Sequence, residues 1–188
     1  MAQTHIKIIK TPLTEAVLTG LHAGDLVEFS GELIAARDMA HKRLVETLKK
    51  GEPLPFDLSG QIIYYTGPTP APPGRVIGSI GPTTSGRMDR YTPALLEAGL
   101  KGMIGKGQRN PKVKEAIVRQ GAVYFAAIGG AAAYMSSCVK SAEVIAYEDL
   151  GPEAIRRLTV EHLPLIVIND TDGNDWYEKV KPDTGSLV

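Results

Sequence analysis

"GDLVEFSGELIAARDMAHKRLVETLKKG", residues 24–51, decides the fold class. Val27 and Phe29 alternate with polar residues, the period of a half-buried strand. Leu33, Ile34 and two alanines then form a short continuous apolar run. From Arg37 the spacing changes: Met39, Ala40, Leu44, Val45 and Leu48 form a stripe with helical period, and "KKG" supplies basic residues and a terminal glycine. A strand that runs directly into a helix is the unit of an α/β protein.

The same alternation continues along the chain. "QIIYYTG" (61–67) predicts a strand and "GPTPAPPG" (67–74), with four prolines in eight residues, an exposed loop. "RVIGSI" (75–80) predicts a strand and "SGRMDRYTPALLEAG" (85–99) a helix, with Pro93 disturbing it or marking its first turn. "KGMIGKG" predicts a short strand. In "NPKVKEAIVRQG" Asn110 suits the N-cap, Pro111 the first helical position and Gly121 the end. "AVYFAAIGG" predicts a strand, "AAAYMSSCVKS" a small-residue helix, "AEVIAYEDLG" a strand into a loop and "PEAIRRL" a short helix. "LPLIVINDTDGNDWYEKV" predicts a hairpin about Asp172-Gly173, with a mobile tail over 180–188. The expected architecture is α/β, a mixed sheet with flanking helices in one domain, 1–188.

Composition narrows the function. The 188 residues carry 21 Lys+Arg against 21 Asp+Glu, so bulk charge recruits neither nucleic acid nor an acidic membrane. No apolar run reaches the roughly 18 residues of a membrane span, and "MAQTHIKIIKTPLTEAV" lacks a signal-peptide core, so a cytoplasmic location is expected. The single cysteine, Cys138, cannot hold an iron–sulfur cluster, which takes about three or four thiolates. His5, His22, His41 and His162 include no close pair, so no self-contained metal site is expected. "NDTDGND" lacks the acidic residue that closes a calcium loop and reads as a turn.

Three basic residues stand at expected strand ends: Arg37 in "GELIAARDMAHKRL", Arg87 in "GPTTSGRMDR" (81–90) and Lys106 in "GMIGKGQR". Ligands of open α/β sheets gather outside the carboxyl ends of the strands. The three cations could therefore meet on one anion, with Thr83, Thr84 and Ser85 adding hydroxyls and Gly81, Gly105 and Gly107 leaving room for it. Two arginines suit the two ends of a small dicarboxylate. The plainer alternatives are solvated arginines in first helical turns, a capping role for Thr84 or Ser85, a surface or supporting role for His41 and a buried, inert Cys138. The residues alone fit a stand-alone, non-catalytic anion-binding module equally well.

"RDMAHKRL" (37–44) and "GPTTSGRMD" (81–89), with "GMIGKGQR" and "PLIVINDTDGND" in the same order, resemble the β subunit, or C-terminal domain, of class I iron–sulfur-dependent fumarate hydratases, with the L-tartrate dehydratase β subunit a close relative. The resemblance covers nearly the whole chain. It implies a swivelling β/β/α fold and the reversible hydration of fumarate to (S)-malate, a step of the tricarboxylic acid cycle. It implies a [4Fe-4S] cluster held by a partner α subunit in an αβ or α2β2 assembly, and a C4 dicarboxylate substrate. It also implies that Arg37 and Arg87 bind substrate carboxylates, that Thr83 is the catalytic base and that Lys106 is a further catalytic residue.

Overall fold

A computed structural model describes residues 5–127 and 132–180. In chain order the elements are β1 (Lys7–Ile9), α1 (Glu15–Thr19), β2 (Leu26–Ala35), α2 (Asp38–Lys49), β3 (Ile62–Tyr64), α3 (Thr92–Glu97), β4 (Gly102–Gly105), α4 (Pro111–Gln120), β5 (Val123–Ala127), α5 (Ala132–Ser137), β6 (Val139–Ala146), β7 (Ile155–Asn169) and α6 (Trp176–Lys179). Short 3-10 segments lie at Ser85–Arg87 and Glu148–Glu153.

The long strands β2 and β7 pair antiparallel from Leu26 opposite Ile166 to Ala35 opposite Arg156. On its other edge β2 leads through parallel β3, β4 and β5, and β5 returns antiparallel to β7. The ring closes as a small five-stranded barrel, with β1 beside the first half of β2 and β6 beside the first half of β7. Closure requires the long strands to bend. The bend falls where their register breaks between Phe29 and Gly31. Gly31 there has φ 135° and His162, on the facing strand, φ 56°; the His162 N–H donates to Ser30 Oγ at 3.0 Å.

The two faces of the sheet explain the two hydrophobic patterns. Val27, Phe29, Leu33, Ile62, Tyr64, Ile104, Phe125, Leu163 and Leu165 fill the barrel. Ile34, Ile63, Tyr65, Met103 and Tyr124 face outward against Leu44 of α2, Leu95 and Leu96 of α3, and Val113 and Ile117 of α4. Strand β2 alternates where its outer face is open and becomes continuously buried over Leu33–Ala36, where the helical layer covers it.

The α/β class and the mixed sheet with flanking helices are as expected. So are the strands of "QIIYYTG" and "KGMIGKG" and the caps of α4, where Asn110 accepts from the Val113 N–H and Gly121 takes the left-handed conformation. Four expectations are corrected. "RVIGSI" is not a strand: the Thr69 N–H and side chain bind Ser79, while Ile77 and Ile80 pack against the barrel core as irregular chain. "SGRMDRYTPALLEAG" is not one helix but a 3-10 turn, a link and then α3, whose first turn holds Pro93. "PEAIRRL" is strand from Ile155, drawn out by pairing with β2. The Asp172-Gly173 turn leads to a single bridge, Asn169 to Asp175, and then α6, rather than to a second strand. The Asp170 carboxylate ties that turn by accepting from the N–H groups of Ala23, Asp172 and Asn174. In α2 the stripe is Ala40, His41, Leu44 and Val45, with Met39 44 % exposed. The tail expected over 180–188 lies outside the described residues from 181 onward. Among the described residues no helix is long and apolar enough to cross a membrane.

Candidate active site

Parallel strands β2, β3 and β4 end side by side, and all four candidate residues sit at that end. The separation of β3 from β4 creates the place. Tyr65 still donates its N–H to the Ile104 carbonyl, at 2.8 Å, but one residue on the strands part and residues 83–85 enter between them. The Thr83 N–H donates to the Tyr65 carbonyl at 2.7 Å, the Lys106 N–H to the Thr83 carbonyl at 3.3 Å, and the Ser85 N–H to the Lys106 carbonyl at 2.9 Å. Thr83 and Lys106 are thus held by adjoining backbone. Thr84, not Thr83, stands opposite Lys106 in the parallel pairing.

The hydroxyls of "GPTTSGR" differ. Ser85 is buried, within 2.8 Å of the Tyr124 hydroxyl, which donates to the Gly107 carbonyl at 2.8 Å. Ser85 therefore pins the Lys106 loop, and neither it nor Thr84 caps the turn with its side chain. Gly105 is needed because a Cβ there would overlap Ser85 Oγ; the room it leaves is for Ser85, not for a ligand. Thr83 is half-buried and Lys106 exposed. Among the described residues Lys106 has no acidic partner.

Arg37 and Arg87 come together on one carboxylate. Asp38, the first residue of α2, accepts from Arg87 Nε at 2.8 Å and from Arg37 Nε at 3.3 Å. Glu153 lies 3.5 Å from Arg37 Nε and accepts the Met39 N–H at 2.7 Å, so it also caps α2. Burial opposes the charge on Asp38, but its own backbone N–H and the two guanidinium groups hold its pKa below the usual carboxylate value. Gly67 is the floor under Arg37: a Cβ there would lie 2.9 Å from Arg37 Cδ. Beside Arg87 opens a cavity of about 740 Å³ lined by Asp38, Gly86, Arg87, Arg90, Asn110 and Lys112, among others. Arg87 lines this cavity and Thr83, Arg37 and Lys106 do not; Arg87 and Lys106 are exposed, while Arg37 and Thr83 are half-buried.

Two buried groups behind this surface escape a sequence reading. Arg109 is fully buried and pairs with Asp89 at 2.7 Å. It also donates to Thr92 Oγ1 at 2.8 Å and Tyr65 OH at 3.2 Å, between the rings of Tyr65 and Tyr124. Asp89 accepts the Asn110 N–H, so the pair joins the segment carrying Thr83 and Arg87 to the loop carrying Lys106. Both residues stand inside the motifs quoted above, but nothing in their spacing marks them as partners.

His41 is neither at the surface nor a ligand. It is fully buried, and its Nδ1 lies 2.9 Å from the Arg37 carbonyl. A carbonyl only accepts, so Nδ1 carries the proton and Nε2 is left without a partner. Burial, reinforced by the Arg109 charge and opposed by the Arg37 carbonyl and Asp38, pushes the imidazole pKa down to about 4. An unfolded histidine titrates near 6.5, so acid protonates the unfolded chain first. The stability His41 contributes is complete above about pH 6.5 and is lost as pH falls toward 4, by about 2 kcal/mol at pH 5. Urea unfolding at pH 7.5 and 5 measures it, and His41→Gln is expected to remove that part of the pH dependence.

The cluster implied by the resemblance does not fit this chain. Cys138 is the single thiol, buried with Sγ against the Tyr134 and His162 carbonyls, and burial raises its pKa.

Comparison with known proteins agrees with the motifs. The family model described as "Fumarase C-terminus" matches residues 2–180. The aerobic class I fumarate hydratase of Escherichia coli K12 is 39 % identical over 157 residues, 82 % of this chain and 29 % of that protein. Fumarate hydratase 2 of Leishmania major is 36 % identical over 184 residues, 95 % of this chain and 32 % of that one. A putative L(+)-tartrate dehydratase subunit beta of Methanocaldococcus jannaschii is 38 % identical over 174 residues, 89 % of each. The chain spans about a third of the fumarate hydratases and nearly all of the tartrate dehydratase subunit. With its motifs, its barrel and a match along nearly its whole length, the chain belongs to the Fumarase C-terminus family, whose relatives matched here are hydro-lyases.

Proposed function

We propose that this chain is the β-type half of a two-part hydro-lyase, with the swivelling β/β/α arrangement of that role, and that it hydrates fumarate reversibly to (S)-malate. A partner α chain would hold the [4Fe-4S] cluster in an αβ or α2β2 assembly and cover the open end of the barrel. The observation that supports the reading is that two pairs stand beyond the ends of neighbouring parallel strands: Thr83 and Lys106 joined by backbone hydrogen bonds, and Arg37 and Arg87 joined through Asp38.

The roles follow from what each group has free. Both arginines use Nε toward Asp38, and among the described residues their Nη groups have no hydrogen-bond partner. Those forks can each take one carboxylate of a C4 dianion. Thr83 has its backbone committed on both sides and only its hydroxyl to offer. In the dehydration direction it would take the proton from carbon, and in hydration return it. An ordinary hydroxyl is far too weak for this, so Lys106 on the adjoining segment, which has no acidic partner among the described residues, would support the alkoxide. Fumarate hydratases and a tartrate dehydratase subunit both match this chain, and tartrate is the second substrate to assay.

Arg37→Lys and Arg87→Lys keep the charge and lose the fork. Each is expected to lower kcat/KM of the assembled enzyme by about 10²-fold, equivalent to about 2.7 kcal/mol. Malate and tartrate dehydration rates of both variants measure it. Wild-type kinetics in both would return the arginines to the solvated surface.

A further inference from the structure

Asp38 stands at the first position of α2, where an acidic residue is common simply because it suits the helix dipole. Its contacts are more specific than that. Its carboxylate is only 16 % exposed, and its two oxygens reach two arginines from separate segments of the chain, Arg87 on Oδ1 and Arg37 on Oδ2. Each contact is made side-on, through Nε. The same helix carries a contrasting pair: Arg43 meets Asp149 end-on, with Nη1 and Nη2 on the two carboxylate oxygens. An end-on pair consumes the fork that recognises anions. The side-on pair at Asp38 fixes each guanidinium and leaves its fork free. The floor at Gly67 and the second carboxylate, Glu153, restrict Arg37 further.

We propose that Asp38 is the positioning residue of the arginine pair, binding both guanidinium groups by Nε so that their free forks hold a dicarboxylate in register with Thr83. The proposal rests on the function proposed above for these arginines. Asp38 itself touches neither substrate nor reacting atoms. It also removes one positive charge from the pair, so a bound dianion is held by geometry more than by excess charge.

The consequence is a particular kinetic signature. Asp38→Asn keeps a similar shape but leaves one accepting oxygen and no charge. The arginines then gain net positive charge and lose their alignment. A dianion is held at least as tightly, but its carbon is displaced from the base. In the assembled enzyme kcat is expected to fall about 10-fold or more while KM for the dicarboxylate stays level or falls. Asp38→Glu keeps the charge and moves it by one methylene; it is expected to restore the wild-type KM but not kcat. Retention of kcat within twofold in both variants overturns the proposal, whatever happens to thermal stability.

A second readout needs neither partner nor turnover. In the isolated chain the Nε–H resonances of Arg37 and Arg87 are expected to be protected from solvent exchange and to lose that protection in Asp38→Ala. Unchanged protection in the variant overturns the proposal. Protection that is lost on mutation, in a chain whose assembled form turns over neither malate nor tartrate, leaves the Asp38 contacts standing and overturns the proposed function instead.

Discussion

Replacing Arg109 by methionine should destabilise the isolated chain by about 3–5 kcal/mol, a large share of the 5–15 kcal/mol of a typical domain. The substitution leaves Asp89 charged and buried with its partner gone, and it strips hydrogen bonds from Thr92 and Tyr65. The cost comes mainly from that orphaned carboxylate rather than from the strength of the pair. The double variant Arg109→Met/Asp89→Leu should therefore recover much of the loss. Urea unfolding of the wild type, the single variant and the double variant separates the two terms. If the single variant is as stable as the wild type, the buried pair does not hold the site's two segments together.

The sequence made the local junctions legible and left the closures hidden. The change of period at Arg37 fixed the passage from β2 to α2, and Asn110, Pro111 and Gly121 marked α4, because caps and periodicity are properties of neighbouring residues. "PEAIRRL" misled because Glu, Ala, Arg and Leu favour helix, while the fold needed Leu158 in the barrel opposite Leu33; pairing overrode propensity. "RVIGSI" misled in another way: its isoleucines are apolar because they pack against the barrel core, a use of hydrophobicity that looks like a strand. The closure of the ring by β2 and β7 joins distant parts of the chain, and no local pattern announces it.

The site divided along the same line. Arg37, Thr83, Arg87 and Lys106 could be picked out because they stand at strand ends and in long motifs. What could not be read was how they are held. Ser85 was a capping candidate, and nothing in the local sequence marked Asp38 or Arg109. Each is defined by a partner from another segment: Arg87 for Asp38, Tyr124 for Ser85, Asp89 for Arg109.

In the proposed function this chain supplies the acid–base and carboxylate-binding half of a shared site, with Thr83 as the base. On the proposed reading, a chain with one cysteine would leave the cluster to a partner, so the chain alone should not turn over. Loss of a general base lowers turnover by about 10²–10⁴-fold without a matching loss of substrate affinity. Thr83→Val keeps the shape of the side chain and removes its hydroxyl, while the backbone bonds to Tyr65 and Lys106 are untouched. The deciding measurement is the initial rate of fumarate hydration, under anaerobic conditions, by the purified chain alone, by the chain assembled with a [4Fe-4S] α subunit, and by the assembled Thr83→Val and Thr84→Val variants. The expected result is no turnover by the chain alone, turnover on assembly, a fall of about 10²-fold or more for Thr83→Val at little-changed KM and melting temperature, and near wild-type rates for Thr84→Val. Hydration by the isolated chain would contradict the shared site, and full turnover by assembled Thr83→Val would contradict the base.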